Sequence, residues 1–169
     1  MSIFNLFRPK VELVFDAQGK IVAISPAELK DILKTQQNVT PECWIKRDDN
    51  EFYLVTERCM HKFIRWAKVH KIPQIPYPPI KNSRGQFIKR DCDDYRGILY
   101  GKIKEYLYPD LAAGMDEGQG TMKKNGIWEN HAWDWFVNEN KKLRWIDATR
   151  DKNWIYDPDF NRPVYFVMT

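Results

Sequence analysis

Glu129-Asn130-His131-Ala132-Trp133-Asp134-Trp135-Phe136-Val137, then Asn138-Glu139-Asn140-Lys141-Lys142, then Leu143-Arg144-Trp145-Ile146-Asp147: the reading of this run decides the fold. Its first part is rich in aromatic and apolar residues and reads as a strand. The five polar residues make a turn, and the third part reads as the return strand. Strands joined so briefly pair antiparallel. Pairing about that turn brings Asp147 beside the start of the first strand, where His131 stands. An imidazole–carboxylate contact therefore follows from hairpin geometry.

Upstream, Asp91-Cys92-Asp93-Asp94-Tyr95 opens an amphipathic pattern. Tyr95, Ile98, Leu99, Ile103, Tyr106 and Leu107 recur at spacings of three and four, which predicts a helix with one apolar face. Asp91 is the expected N-cap and Pro109 the expected stop. Cys92 then lies in the first turn, at the positive end of the helix dipole. The chain order is Cys, His, Asp. A thiol is a weak nucleophile until it becomes a thiolate, and an adjacent imidazolium stabilises that form. The imidazole in turn needs a third group to fix its ring and tautomer. Cys92, His131 and Asp147 meet these needs in principle. Each also has a plainer role, as a structural thiol, an edge-strand histidine and a turn cap.

With these motifs in place, Gly85 to Lys152 resembles the papain-like and transglutaminase-like cysteine peptidase superfamily. The resemblance rests on a Cys at a helix start, a His-Ala-Trp strand and an Asp-x-Thr strand end. The acidic form around Cys92 looks most like the bacterial transglutaminase-like cysteine proteinases. It is also similar to phage proteins related to the protease domain of Marasmius oreades agglutinin. The resemblance implies a thiol-dependent amide-bond hydrolase acting on a protein or peptide, with Cys92, His131 and Asp147 as its triad. Gln86 lies six residues before Cys92, the spacing of the papain oxyanion-hole glutamine, and is the matching expectation here. Calcium dependence occurs in both groups, and a phage origin is a further implication.

Asp91, Asp93 and Asp94 pose a difficulty for such chemistry. At an effective dielectric near 20, a unit negative charge ~6 Å away opposes the thiolate by roughly 3 kcal/mol before screening. A helix terminus offsets only ~0.3–1 kcal/mol. Either cations such as Lys89, Arg90 and Arg96 neutralise the acids, or a bound Ca²⁺ does. Calcium takes six to eight oxygen ligands, and the expected set is Asp91, Asp93 or Asp94 with Asp116 or Glu117. The competing reading is a capping aspartate with solvated ion pairs.

The rest of the 169 residues predicts one α+β domain. Residues 1–80 form an N-terminal hairpin and helices. Residues 81–169 form the catalytic core, the nucleophile helix packed on an antiparallel sheet. Val11 to Ile24 reads as a hairpin around Asp16-Ala17-Gln18-Gly19. Ser25-Pro26-Ala27-Glu28 starts one helix and Thr56-Glu57 another. Cys59 and His61 fall two apart and point to different faces of that helix, so no metal site is read there. Ile72 to Ile80, with four prolines, predicts an extended segment: a strap packed through Ile72, Ile75, Tyr77 and Ile80, a domain linker, or a ligand for a proline-reading module. Leu111 to Gly126, with four glycines, reads as a mobile connector or a gating loop. Pro163 to Met168 reads as a last strand closing the sheet.

Three cysteines cannot all pair, and Cys43 and Cys59 sit in apolar segments, which fits a reducing compartment. No signal-peptide pattern and no run of ~20 apolar residues is present, so a cytoplasmic setting without membrane contact is expected. A net charge of +4, spread over mixed charges, gives no reason to expect nucleic acid as a partner. Three other readings stay open: acyl transfer (transglutaminase chemistry) by the same residues, a binding protein with an idle triad, and nucleic-acid binding through basic loops such as Lys81 to Arg90 with exposed aromatics.

Overall fold

The computed structural model describes residues 12–46, 50–76, 78–107, 110–122, 128–149 and 154–169. The fold is α+β. In order the elements are β1 (Ala23–Ile24), α1 (Pro26–Thr35), β2 (Val39–Lys46), β3 (Phe52–Tyr53), α2 (Glu57–Ala67), α3 (Cys92–Tyr106), β4 (Ala113–Met122), β5 (Trp128–Val137), β6 (Leu143–Ile146), β7 (Ile155–Tyr156) and β8 (Val164–Met168). The main sheet has the order β2-β8-β4-β5-β6-β7, and β1 pairs with β3 apart from it.

The deciding run folds as read. β5 and β6 are antiparallel, with Asp134 opposite Ile146 and Val137 opposite Leu143. The Asn138 side chain holds the turn, accepting from the N–H groups of Asn140 and Lys142. The near-continuous apolar run has a physical cause: these strands are buried on both faces. Phe136 and Ile146 pack against α2 and α3, with Phe63, Leu99 and Ile103. Trp133, Trp135, Leu143 and Trp145 face the other way, onto Leu29 and Leu33 of α1 and Val164 and Val167 of β8.

α3 also matches its pattern. Tyr95, Leu99, Ile103 and Leu107 are buried, and Ile98 and Tyr106 pack beside them. The Asp91 carboxylate caps the helix while that of Asp94 accepts from the Asp91 N–H, a reciprocal box. Pro109, the expected stop, lies outside the described residues. Ser25 and Thr56 cap α1 and α2, as their sequences predict.

Three expectations fail. The glycine-rich stretch after α3, whose residues 123–127 with Gly126 lie outside the described residues, is over Ala113–Met122 no connector but β4, a central strand between β5 and β8. Gly114, Gly118 and Gly120 alternate along it because neighbouring side chains and backbone occupy the space a Cβ would need. At Gly120 that atom would lie 2.8 Å from the His131 Cβ. We expect Gly120→Ala to shift the strand that carries His131 and to lower Tm by several degrees. An unchanged melting curve would show that β4 sits differently.

The C-terminal strand does not close an edge either. β8 inserts between β2 and β4, antiparallel to β4 and parallel to β2. The sheet is thus antiparallel except for one pair, and β2 carries the N-terminal half into it. The proline strap is not packed at its described residues: Ile72 touches the core, but Ile75 and Ile80 are exposed, and Tyr77 lies outside the described residues. No helix among the described residues is long and apolar enough to cross a membrane.

Candidate active site

α3 delivers Cys92 as its first residue, and the hairpin delivers His131 and Asp147. His131 Nε2 lies 2.9 Å from Asp147 Oδ2. The other Asp147 oxygen accepts from the Thr149 N–H at 3.0 Å and from its hydroxyl at 2.5 Å. The carboxylate is therefore fully engaged and 4% exposed. The Cys92 thiol interacts electrostatically with the imidazole, and its sulfur lies 3.9 Å from Asp93 Oδ1, to which it donates. Both residues line one cleft of about 420 Å³, with Gln74, Arg90, Tyr95 and Thr149 among its walls. His131 and Asp147 thus meet, and Cys92 lines the same cleft as His131.

The partners set the protonation states. Burial pulls the His131 ring toward neutrality, but the hydrogen bonds and charges of Asp147 and Cys92 prevail and raise its pKa from 6.5 to about 9. Burial likewise opposes the Asp147 charge. The His131 and Thr149 hydrogen bonds outweigh it and lower the carboxyl from 3.8 to about 2. With Asp147 on Nε2, the remaining nitrogen, Nδ1, is the one available to the sulfur.

These shifts carry a sign for stability. Folding favours protonated His131, so its contribution is full below pH 6.5 and disappears as pH rises through about 9. Asp147 behaves in the opposite sense: its contribution is full above pH 3.8 and disappears as pH falls through about 2. Melting temperature is accordingly expected to fall between pH 6.5 and 9, and to fall less in His131→Ala. Parallel curves for the two proteins would contradict the ion pair.

Gln86 does not reach the cleft. It sits in an exposed turn, where its amide oxygen accepts from the Asn82 amide and its N–H donates to the Asn82 side chain. The glutamine at the cleft wall is Gln74. It comes from the proline-rich stretch, eighteen residues before Cys92, where no spacing rule pointed to it.

The five carboxylates expected to hold calcium are also dispersed. Asp91 and Asp94 are engaged in the capping box. Asp93 and Glu117 flank a cation already present, with Arg96 nitrogens at 3.8 and 3.9 Å. Asp116 is wholly buried, and burial pushes its pKa well above the usual carboxylate range. The Gln37 amide and the Trp133 and Trp135 indoles lie near it without closing a hydrogen bond of ordinary geometry. Among the described residues no three His, Cys, Asp or Glu side chains gather to hold a metal ion. As placed, these residues do not fit a calcium site. The acid around the thiol is answered locally, by backbone N–H groups and Arg96. That guanidinium also donates to the Asp116 carbonyl at 3.1 Å, tying α3 to β4.

Asp134 escaped the sequence reading. It too is wholly buried, and desolvation raises its pKa well above the ordinary range. It stands on β5, a strand buried on both faces.

No protein-family model matches the chain, and no curated protein matches its sequence. Ten solved chains match its fold, among them these two. One is a PSL1a–E64 complex, at TM-score 0.65 and 14% identity, covering 88% of this chain and 52% of that one. The other is Polyporus squamosus lectin bound to the epitope Neu5Acα2-6Galβ1-4GlcNAc, at TM-score 0.61 and 14% identity, covering 88% and 50%. The chain shares its fold with half of that lectin. It spans about half the length of each of these two structures.

Proposed function

We propose that the protein is a thiol-dependent amide-bond hydrolase of papain-like or transglutaminase-like fold, with Cys92, His131 and Asp147 as its triad. One observation carries this reading: the His131–Asp147 hydrogen bond of 2.9 Å, held at the wall of a cleft whose floor begins with Cys92. An ordinary structural histidine has no reason to share a cleft with a thiol at a helix N-terminus.

The Cys92 thiolate attacks the carbonyl carbon of a bound peptide, forming a C–S bond. The oxyanion is stabilised by the Cys92 main-chain N–H, one of the unpaired donors of the first helical turn, and by the Gln74 amide. His131 gives its Nδ1 proton to the departing amine nitrogen, the C–N bond breaks, and a thioester remains. Water then attacks the thioester, His131 takes its proton, and the C–S bond breaks to return the thiolate. A primary amine in place of water would give acyl transfer instead.

The test is incubation with a mixture of synthetic peptides, read by mass spectrometry with and without a primary amine. New carboxyl termini that disappear in Cys92→Ala support hydrolysis, and amine adducts support transfer. Fragments unchanged in Cys92→Ala, or none at all, overturn the proposal. A binding protein with an idle triad is the second reading, and the likeness to the glycan-bound lectin favours it. Saturable binding of that trisaccharide, together with an unreactive Cys92, would select it.

A further inference from the structure

Residues 73–76 and 78–90 leave the body of the protein and return beside Cys92. Their base is clamped: the Arg90 N–H donates to the Gln74 carbonyl and the Arg90 guanidinium to the Pro73 carbonyl, both at 2.6 Å. The Tyr95 hydroxyl donates to the Ile72 carbonyl at 2.8 Å, fixing the clamp to α3. Farther out the arm is a small hairpin. Lys81 pairs with Phe87, and the Ile88 N–H donates to the Ile80 carbonyl. Its turn is set by Asn82, which accepts from Arg84 and Gln86 N–H, and by Gly85 at φ 74°. A glycine suits that left-handed backbone.

The arm breaks the usual pattern of a surface loop. Ile75, Ile80, Phe87 and Ile88 are 38–54% exposed, half of the large apolar side chains exposed among the described residues. Isolated exposed apolar residues need no explanation, but a cluster on a held hairpin does. Charge gives a second, independent indication. The arm carries Lys81, Arg84, Lys89 and Arg90 and no Asp or Glu. The acids Asp91, Asp93 and Asp94 begin only where it rejoins the cleft.

We propose that this arm is the substrate-recognition element of the cleft, and that it selects an extended peptide segment whose apolar side chains alternate with carboxylates. This inference rests on the reading of the cleft as a peptide hydrolase. Both stems of the arm end in cleft walls, at Gln74 and at Arg90, so a chain seated over Cys92 runs onto the hairpin on leaving it. Apolar side chains cover Phe87 and Ile88 there. Carboxylates meet the arm's cations and are kept from the acids around Cys92, which sets the direction of preference. A basic segment has no such complement on the arm.

The experiment uses Cys92→Ala protein, which holds peptide without cleaving it, and three fluorescein-labelled twelve-residue peptides. These alternate Glu with Leu, Lys with Leu, and Glu with Ser. Anisotropy should show the Glu/Leu peptide binding at least ~10-fold more tightly than either of the others. Adding Phe87→Ser and Ile88→Ser should weaken it by ~10-fold or more. Adding Lys81→Glu and Lys89→Glu instead should transfer the preference to the Lys/Leu peptide, a gain that misfolding does not produce. Equal binding of all three peptides, or no effect of either pair of substitutions, overturns the inference. Alkylation of Cys92 in the unsubstituted protein separates the two claims. A reactive Cys92 with no peptide preference removes the arm's role alone, and peptide preference with an inert Cys92 removes the hydrolase alone.

Discussion

His131→Ala is expected to lower kcat/KM for peptide hydrolysis by at least ~10⁴-fold, the scale on which triad members act as a unit. The ring does three things that no neighbour repeats. It stabilises the thiolate, protonates the leaving amine and activates the water. Burial of its Asp147 partner, fully hydrogen-bonded by Thr149, keeps the ring in one orientation throughout. Asp147→Ala should cost less, because His131 retains its chemistry and loses its anchor. Its signature is in the pH profile. The alkaline limb of the unsubstituted enzyme should lie near pH 9, where His131 loses its proton. Without the carboxylate that limb should move toward neutral pH, since Asp147 is among the groups that raise the ring. A limb that stays in place would mean that another group controls it.

Trp145→Ala should be the most damaging core substitution, destabilising by about 3–5 kcal/mol for the lost ring alone. Trp145 is wholly buried, its ring 4.4 Å from that of Trp133 and edge-on to Tyr156. Its indole N–H also donates to the Gln37 side chain at 2.7 Å, so the substitution leaves a buried acceptor unsatisfied, a further ~1–3 kcal/mol. At roughly 2–4 °C per kcal/mol for a chain of this size, Tm should drop by more than ~10 °C. Activity should fall too, since Asp147 is two residues away on the same hairpin. A loss below ~1 kcal/mol would show that this face of the sheet is not packed as described.

What could be read from the sequence follows from how each feature is encoded. The β5–β6 hairpin was legible because its strands are apolar on both faces and its turn is polar, so the His131–Asp147 contact came with it. α3 was legible from period and cap together. β4 was not, because glycine carries no strand propensity. Its signal was the two-residue spacing of Gly114, Asp116, Gly118 and Gly120, a small or buried residue wherever a tryptophan or the His131 strand presses close. Gln74 was hidden for a different reason: it reaches the cleft through a clamped arm, a tertiary contact that no local spacing records. The acidic run around Cys92 resembles a metal site in sequence because the backbone N–H groups that engage Asp91 and Asp94, and the approach of Arg96 to Asp93, exist only once the helix has formed.

The most direct test compares the alkylation rates of the three cysteines by iodoacetamide between pH 5 and 9, read peptide by peptide. Cys43 and Cys59 serve as internal references: burial raises the first to about 11 and also pushes the second up. The account predicts that Cys92 reacts far faster than either near neutral pH and loses that advantage in His131→Ala. Three similar rates, or a Cys92 rate indifferent to His131, would contradict it.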